Sequence, residues 1–166
     1  LTPNIITSVI DYCNEKGIPT AVDPKQKNFL AYKNCTLFKP NLKEVKEGLK
    51  ITIGDITVQN MNKVHTALNE NLHNAISFIT LSEHGVYFSD GKEQKLIPTH
   101  IRNISDVSGA GDTVIAVASL VYASSKNILL AAEVSNIAGG MVCELVGTAP
   151  INKNDLAAEV AKLLTK

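Results

Sequence analysis

The hydrophobic positions in the first part of the chain switch between helical and strand-like spacing. After Thr2-Pro3, apolar residues recur at helical spacing until Gly17, which predicts a helix with a hydroxyl cap and a proline in its first turn. Similar spacing predicts a helix after Asn41 and another from Gly54-Asp55 to about His73. Short apolar runs predict strands at 19–24, 35–38, 75–81, 85–91 and 93–98.

The last part of the chain has a different pattern. Two helices rich in alanine, valine and isoleucine are predicted at 109–124 and 128–145, followed by an amphipathic helix at 156–164. Because the first two have thin polar faces, we expect both to be largely buried. Strands alternating with helices, a hairpin at Asp90-Gly91 and then helices predict an α/β fold with an open, mostly parallel sheet covered on both faces.

Composition narrows the class of function. The chain has 166 residues, 45% of them hydrophobic, which suffices for the core of one domain. Its 16 basic and 16 acidic residues cancel, and no apolar run is long enough to span a membrane. The scattered cysteines, Cys13, Cys35 and Cys143, argue against a zinc site or a disulfide framework. We therefore expect a cytoplasmic protein with no nucleic-acid or membrane partner.

Chemistry is expected where the strands end, because ligands of open α/β sheets bind at the carboxyl ends of the strands. Polar segments stand at four such places: Asp23-Pro24-Lys25, Lys39-Pro40-Asn41 with Glu44, 80–85 and 106–112. Lys25 has two interpretations, a contact with an anionic substrate or an ordinary solvated lysine. The histidines have no metal-ligand spacing.

The segment from Asp106 to Thr113, which reads Asp-Val-Ser-Gly-Ala-Gly-Asp-Thr, carries the most information. It leads into an apolar helix, and its small residues let the backbone approach an anion held by N–H groups at the helix start. Asp112 is then placed to take a proton from a hydroxyl during phosphoryl transfer. The alternative is structural: Gly-Ala-Gly packs tightly, and Asp112 stabilises the helix N-terminus. The segment is neither a Walker A loop nor a GxGxxG fingerprint.

This octet resembles the C-terminal signature of the PfkB/ribokinase family of carbohydrate kinases. Further segments match motifs of that family in the same order: 22–25, Pro40-Asn41 with Glu44, Thr80-Leu81 with Gly85, and 135–140. The resemblance implies a ribokinase-like three-layer α/β/α fold and transfer of a phosphoryl group from ATP to a sugar hydroxyl.

Within the family, three segments are most similar to the kinase domain of RfaE-type ADP-heptose synthases: 23–25, 109–116 and 147–149. Those enzymes phosphorylate the anomeric hydroxyl of D-glycero-D-manno-heptose 7-phosphate for lipopolysaccharide core synthesis. The resemblance therefore implies ATP and a phosphorylated sugar as partners, with Mg²⁺ as cofactor.

The resemblance also implies roles for single residues. Asp112 takes the role of general base, and the phosphoryl group is held by the N–H groups of Gly109, Ala110 and Gly111. Asn41 and Glu44 serve the ATP phosphates and Mg²⁺, partly through water, although the same pair by itself predicts a helix capping box. A monovalent cation such as K⁺ is bound in many relatives at the positions of Asp106, Ser108 and Gly147.

The nucleotide is expected at two segments. The turn at 80–85 resembles the nucleotide-binding turn of the family, and its candidate residues are Thr80, Ser82, Glu83 and Gly85. The family usually has glycine where this chain has Ser82, so that side chain is expected to narrow the approach to the phosphates. Asn136 and Gly140 resemble the wall around the adenine, and a buried asparagine bonded to a neighbouring loop is the alternative.

Motifs of the family's N-terminal half are not found in this sequence. The first predicted helix matches the middle of a kinase, and the chain starts at Leu1 without a methionine or a signal-peptide pattern. We therefore expect 1–166 to be the C-terminal nucleotide-binding and catalytic part, without the sugar-binding residues and the strand lid, and inactive alone. A homodimer is expected only of the full-length protein, and an apolar edge or face is expected to be exposed.

Two classes of function remain open. The first is the catalytic half of a sugar kinase, acting on the heptose phosphate or, as a ribokinase- or fructokinase-like enzyme, on another sugar. The second is a nucleotide-binding module that keeps the motifs without turnover.

Overall fold

The computed structural model describes residues 1–164, which fold as two compact units divided between Leu96 and Ile97. The first unit contains a sheet and the helices α1 (Pro3–Glu15), α2 (Leu42–Leu49) and α3 (Val58–Leu72). The second contains the helices α4 (Ala110–Ser125), α5 (Ile128–Val142) and α6 (Lys153–Leu164). Among the described residues, no helix combines the length and the apolarity that crossing a membrane requires.

The sheet has five strands in chain order: β1 (Ala21–Val22), β2 (Leu37–Phe38), β3 (Ile76–Thr80), β4 (Val86–Ser89) and β5 (Gln94–Ile97). Strand β2 runs parallel to β1 and β3, whereas β4 runs antiparallel to β3 with Phe78 opposite Phe88. The sheet is therefore mixed, and every predicted strand is present. Strands β3 and β4 are almost completely buried, as their apolar sequences require.

Strand β1 is shorter than the predicted 19–24 because side chains replace part of its ladder. The backbone N–H of Thr20 donates to the hydroxyl of Thr36 over 3.0 Å, and the N–H of Thr36 donates to the hydroxyl of Thr20 over 3.1 Å. Threonine hydroxyls compete in this way with backbone pairing. The two strands consequently pair only from Ala21 opposite Leu37 onward.

Helix α3 begins at Val58, so the prediction of a start at Gly54-Asp55 is wrong. The hydroxyl of Thr57 accepts the N–H of Asn60 over 3.2 Å and caps the helix there. The segment before the cap is fixed by Asn60, whose side-chain amide donates to the carbonyl of Asp55 over 2.9 Å. The helix therefore starts a few residues later than predicted, after a threonine cap.

The core of the first unit is built from α1, α3 and the aromatic residues around β2. Ile6 and Ile10 of α1 and Leu68 of α3 are buried in one cluster with Phe29 and Phe38. The rings of Phe29 and Phe38 meet edge to face, with their centroids 5.1 Å apart. This packing anchors the helices that flank the short strands.

The prediction that both alanine-rich helices are largely buried is correct for α5 and wrong for α4. Nine residues of α5 are buried, but only Val114, Val117 and Ala118 are buried on α4, and Leu120 is 71% exposed. Helix α4 is apolar around most of its circumference, whereas one face packs against α5. That contact is close because Gly139 has no side chain: a Cβ there would lie 2.6 Å from Cγ2 of Val114.

Candidate active site

The turn that enters α4 requires glycine at Gly109 for two reasons. Gly109 has φ +80°, in the left-handed region that other residues adopt at a cost. A Cβ on this residue would also lie 3.0 Å from Cγ2 of Thr148. The turn therefore places a residue without a side chain directly before α4.

The first N–H groups of α4 are available to an anion. The intrahelical bonds begin with the N–H of Thr113, which donates to the carbonyl of Gly109 over 2.9 Å. The N–H groups before it belong to the helix terminus and lie at the positive end of the helix dipole. The N–H of Ala110 donates to the carbonyl of Val107 over a long 3.3 Å, whereas the N–H of Gly111 precedes the first intrahelical bond. The role of these groups in holding a phosphoryl group stays a prediction.

Asp112 lies in the first turn of α4 and is exposed. Its side chain contributes to the wall of a cavity of about 460 Å³, together with residues of α4 and of the loop after α5. The remaining lining residues are small or apolar: Gly109, Thr113, Ala116, Val117, Thr148, Ala149, Pro150 and Ile151. A carboxylate at the edge of such a cavity can reach a hydroxyl group of a ligand bound in it.

The three residues predicted for a monovalent cation are brought together by hydrogen bonds. Oδ1 of Asp106 accepts the N–H of Ser108 over 2.9 Å, and Oδ2 accepts the N–H of Gly147 over 3.0 Å. Hydrogen bonds from Ser108 and then from Gly147 hold the pKa of Asp106 below its usual range. Asp106 therefore carries a negative charge at neutral pH.

The two residues predicted for the adenine wall have protein contacts. Asn136 is 8% exposed, and its side-chain amide donates to the carbonyl of Pro98 over 2.8 Å, which is the loop contact left open as the alternative. Gly140 faces Arg102: a Cβ on Gly140 would lie 2.9 Å from Cδ and Nε of that arginine. The adenine role of both residues stays a prediction.

In the first unit, Asn41 and Glu44 form a reciprocal capping box at the start of α2. Oδ1 of Asn41 accepts the N–H of Glu44 over 2.9 Å, and Oε2 of Glu44 accepts the N–H of Asn41 over 2.7 Å. Asn41 also pairs with Thr80 at the end of β3, where the N–H of Thr80 donates to the carbonyl of Pro40 over 3.1 Å. Three predicted site residues therefore meet at the carboxyl ends of β2 and β3.

The predicted nucleotide turn after β3 contains a strained residue. Ser82 has φ +54°, and Gly85 has φ +90° with ψ −132°, a conformation open only to glycine. The N–H of Gly85 donates to the carbonyl of Ser82 over 3.1 Å, and the N–H of Leu81 donates to the carbonyl of Gly85 over 2.8 Å. Ser82 thus occupies a backbone position that favours glycine, which is the residue that the family usually has there. Glu83 lies in the same turn and is 79% exposed.

Sequence reasoning missed a buried ion pair between the ends of β1 and β2. Nζ of Lys39 lies 3.1 Å from Oδ1 of Asp23, and the side chains are 3% and 25% exposed. The sequence does contain an indication of this pair. Lys39 lies between the apolar strand β2 and Pro40, a position where a lysine side chain is seldom exposed to solvent. Lys25, the lysine that was singled out instead, is exposed.

Within the described part of the chain, no cluster of three or more histidine, cysteine, aspartate and glutamate side chains is arranged to hold a metal ion. The candidate residues fall into two groups, one in each unit. The first comprises Asn41, Glu44 and the turn from Thr80 to Gly85. The second comprises Asp106, Ser108, Gly109 to Asp112, Asn136, Gly140 and Gly147.

Comparison with known families identifies the relationship. Residues 2–155 match the pattern of the pfkB family carbohydrate kinases. The chain belongs to this family. It is 36% identical over 163 residues to the bifunctional protein HldE of Sulfurimonas denitrificans and 37% identical over 148 residues to that of Helicobacter hepaticus. These matches cover 98% and 89% of this chain but 34% and 30% of the relatives, so the chain spans about a third of their length.

Solved structures share the fold. Phosphofructokinase-2 from Escherichia coli in complex with potassium matches with a TM-score of 0.88 at 18% identity, over 100% of this pfkB-family chain and 54% of that chain. Ribokinase from Thermotoga maritima matches with a TM-score of 0.63 at 19% identity, over 81% of this chain and 44% of that chain. The fold is therefore ribokinase-like, as the sequence predicts.

Proposed function

We propose that the full-length gene product transfers the γ-phosphoryl group of ATP to a hydroxyl of a sugar phosphate, and that 1–166 supply its nucleotide-binding and catalytic part. Membership of the pfkB family supports a carbohydrate kinase. The observation that carries the proposal is the start of α4, where left-handed Gly109 precedes the N–H groups of the helix terminus and Asp112 lies on the wall of the cavity.

Asp112 is the general base in this proposal. Its carboxylate takes the proton of the acceptor hydroxyl while the oxygen of that hydroxyl forms a bond to the γ-phosphorus. The bond between this phosphorus and the bridging oxygen of the β-phosphate breaks, and ADP leaves with the electron pair. The exposure of Asp112 supports the role, because the hydroxyl needs direct access to the carboxylate.

The turn at Gly109 stabilises the charge of the transferred group. The N–H groups of Gly109, Ala110 and Gly111 are proposed to donate to its oxygens, which the absence of larger side chains allows. Positioning and charge neutralisation account for most of the catalysis of phosphoryl transfer. The turn and Asp112 together therefore meet the chemical needs of the reaction.

Two ions fit residues of the chain. Mg²⁺ fits Asn41 and Glu44, because the capping box uses Oε2 of Glu44 and leaves its other carboxylate oxygen for water-rich ligation. Bound Mg²⁺ supplies positive charge that offsets the charge of the ATP phosphates. A monovalent cation such as K⁺ fits the ionised Asp106 beside Ser108 and Gly147.

The nucleotide is proposed to bind the turn formed by Thr80, Ser82, Glu83 and Gly85, with Asn136 and Gly140 beside the adenine. The strained backbone of this turn supports the assignment, since conformations of this kind cluster at binding sites. The side-chain amide of Asn136 already holds Pro98, so we propose that this residue acts by fixing the loop.

The proposed acceptor is D-glycero-D-manno-heptose 7-phosphate, which would give the 1,7-bisphosphate on the route to ADP-heptose. The choice of this sugar rests on the resemblance of 23–25, 109–116 and 147–149 to the RfaE-type kinases. Activity on a different sugar, as in a ribokinase- or fructokinase-like enzyme, is the main competing outcome, so the assay compares this heptose phosphate with ribose, fructose and fructose 6-phosphate.

The decisive variant is Asp112→Asn in the full-length gene product. We expect kcat to fall at least about 100-fold while the Kd of ATP with Mg²⁺, measured by calorimetry, stays within about twofold. Asp155→Asn is the matched control, because Asp155 also lies in the first turn of a helix, α6, and its removal changes only the electrostatics of that helix. Equal turnover of the Asp112 and Asp155 variants would remove the base assignment, and ATP binding without phosphorylation of any sugar would identify a nucleotide-binding module.

A further inference from the structure

Arg102 joins three parts of the second unit. Its Nη1 donates to Glu144 just after α5, and its Nη2 donates to Glu159 on α6, each over 2.8 Å. The side chain is 9% exposed, and its stem lies against α5 at Gly140, which has no Cβ to obstruct it. We call Arg102 with Glu144 and Glu159 the Arg102 clamp.

The segment around Arg102 is not held by hydrophobic burial. Its apolar side chains, Ile101, Ile104 and Val107, are all mostly exposed. Apolar contact is the usual means of fixing a segment against a helix, and here it is largely missing. The position of 101–107 therefore depends on its polar contacts.

These polar contacts connect the clamp to the turn at Gly109. The N–H groups of Ser105 and Asp106 donate to the carbonyl of Cys143 over 2.8 and 3.1 Å. Asp106 binds the N–H of Gly147, and Gly109 lies against Thr148. The segments 102–109 and 143–148 thus run side by side, with the Arg102 clamp at one end and the phosphoryl-binding turn at the other.

Burying the Arg102 clamp costs desolvation free energy. Among the described residues, Nε of Arg102 is a buried N–H group without a hydrogen-bond partner. Burying a guanidinium and its carboxylates removes them from water, and apolar side chains of the same size often stabilise a protein equally well. What an arginine with two carboxylates adds is a fixed geometry, because its planar fork sets the direction of each bond.

We infer that Arg102 is a positioning residue for the phosphoryl-binding turn: the clamp fixes 102–106 against the end of α5 and so sets the N–H groups that follow Gly109. This inference rests on the proposed function for the role of the turn.

Steady-state kinetics of the full-length gene product, with ATP, Mg²⁺ and the sugar phosphate, test the inference. Arg102→Lys keeps the charge but cannot hold both carboxylates in one plane. We expect its kcat to fall at least about tenfold and its KM for ATP to change less than about twofold, since misplaced N–H groups act mainly on the charge of the transition state. Glu159→Gln leaves the bond to Glu144 and is expected to cause a smaller loss of kcat.

Ile128→Ala is the matched control for loss of stability. Ile128 is buried at the opposite end of α5, about 18 Å along the helix from Gly140, so the substitution opens a cavity far from the clamp. It is expected to lower Tm without lowering kcat. If Arg102→Lys and Ile128→Ala reduce kcat in proportion to their loss of Tm, Arg102 has only a structural role and the inference fails.

Amide hydrogen exchange provides a readout that needs no substrate. The N–H of Thr113 donates to Gly109 and the N–H of Gly147 donates to Asp106, so both report on the turn. Arg102→Lys is expected to speed their exchange, whereas Ile128→Ala is expected to leave the ratio of these rates to those of β3 unchanged. If exchange of these two N–H groups is unchanged in Arg102→Lys, the inference that the clamp positions the turn is wrong. If the wild-type protein phosphorylates no sugar, the proposed function is wrong. Hydrogen exchange then tests by itself whether the clamp fixes the turn at Gly109.

Discussion

The backbone N–H of Gly147 donates to Oδ2 of Asp106 over 3.0 Å, although the two residues are 41 positions apart in the chain. The other oxygen of the same carboxylate accepts the N–H of Ser108 over 2.9 Å. One side chain therefore links the loop after α5 to the loop that enters α4. It uses both of its oxygens to do so.

Asp106→Asn is expected to lower Tm at neutral pH, because a side-chain amide has one acceptor oxygen and one of the two N–H groups loses its partner. The pKa of Asp106 is held below its ordinary value of 3.8 by these bonds. The stability that they contribute is thus complete above that pH and is lost as the pH falls through the lower pKa of the folded state. The difference in Tm between wild type and variant should be largest near pH 7. It should disappear at acidic pH, below the pKa of Asp106 in the folded state.

Circular dichroism melts over a series of pH values measure this difference. Asp11→Asn serves as the control, since Asp11 is an exposed residue of α1, and its effect on Tm should be small throughout. A gap between wild type and Asp106→Asn that is independent of pH would show that the carboxylate charge is irrelevant to the loop contact.

Ser82→Gly is expected to stabilise the protein by about 1 kcal/mol. Ser82 has φ +54°, where a residue with a Cβ loses roughly 1–2 kcal/mol, and the greater freedom of glycine in the unfolded chain offsets part of the gain. Urea unfolding gives the free energy, and calorimetry shows whether ATP binds more tightly once the side chain is absent. Ser82→Ala retains the Cβ and should bring no gain; equal stabilisation by both variants would trace the effect to the hydroxyl instead.

The sequence allows prediction of features that depend on near neighbours. The capping box of Asn41 and Glu44 spans three positions, and the glycine turn at Gly109 follows from small residues before an apolar helix. The order of helices and strands is predicted for the same reason, because each has its own periodicity. The strain at Ser82 also agrees with a local pattern, because the family usually has glycine at this position and glycine adopts positive φ without strain.

Features that depend on distant contacts could not be predicted. The Arg102 clamp joins residues 42 and 57 positions apart, and no local pattern marks its partners. One local feature was also predicted wrongly: the start of α3, because Thr57 and Asp55 are both good caps by residue type. The exposure of α4 was missed because an apolar sequence does not tell which face finds a partner.

The ion pair of Lys39 and Asp23 should respond unequally to the loss of either partner. Lys39 is 3% exposed and Asp23 is 25% exposed, so Asp23→Asn leaves an ammonium group without a counter-charge in the interior, whereas Lys39→Met leaves a carboxylate that water can reach. We expect losses of about 3–5 kcal/mol for Asp23→Asn and about 1 kcal/mol for Lys39→Met, measured by urea unfolding. The double variant should lose less than the sum of the two, because the stranded ammonium is then absent.

The exposed pair of Lys43 and Glu47, 3.9 Å apart, provides the comparison: Lys43→Met should change the free energy of unfolding by less than about 0.5 kcal/mol. If Lys39→Met proved as damaging as Asp23→Asn, packing of the lysine stem would not explain the loss, because methionine retains most of that apolar stem. The loss would then come from the Asp23 carboxylate that is left without its ammonium partner. Equal losses would therefore contradict the asymmetry that the unequal burial of the two charges predicts.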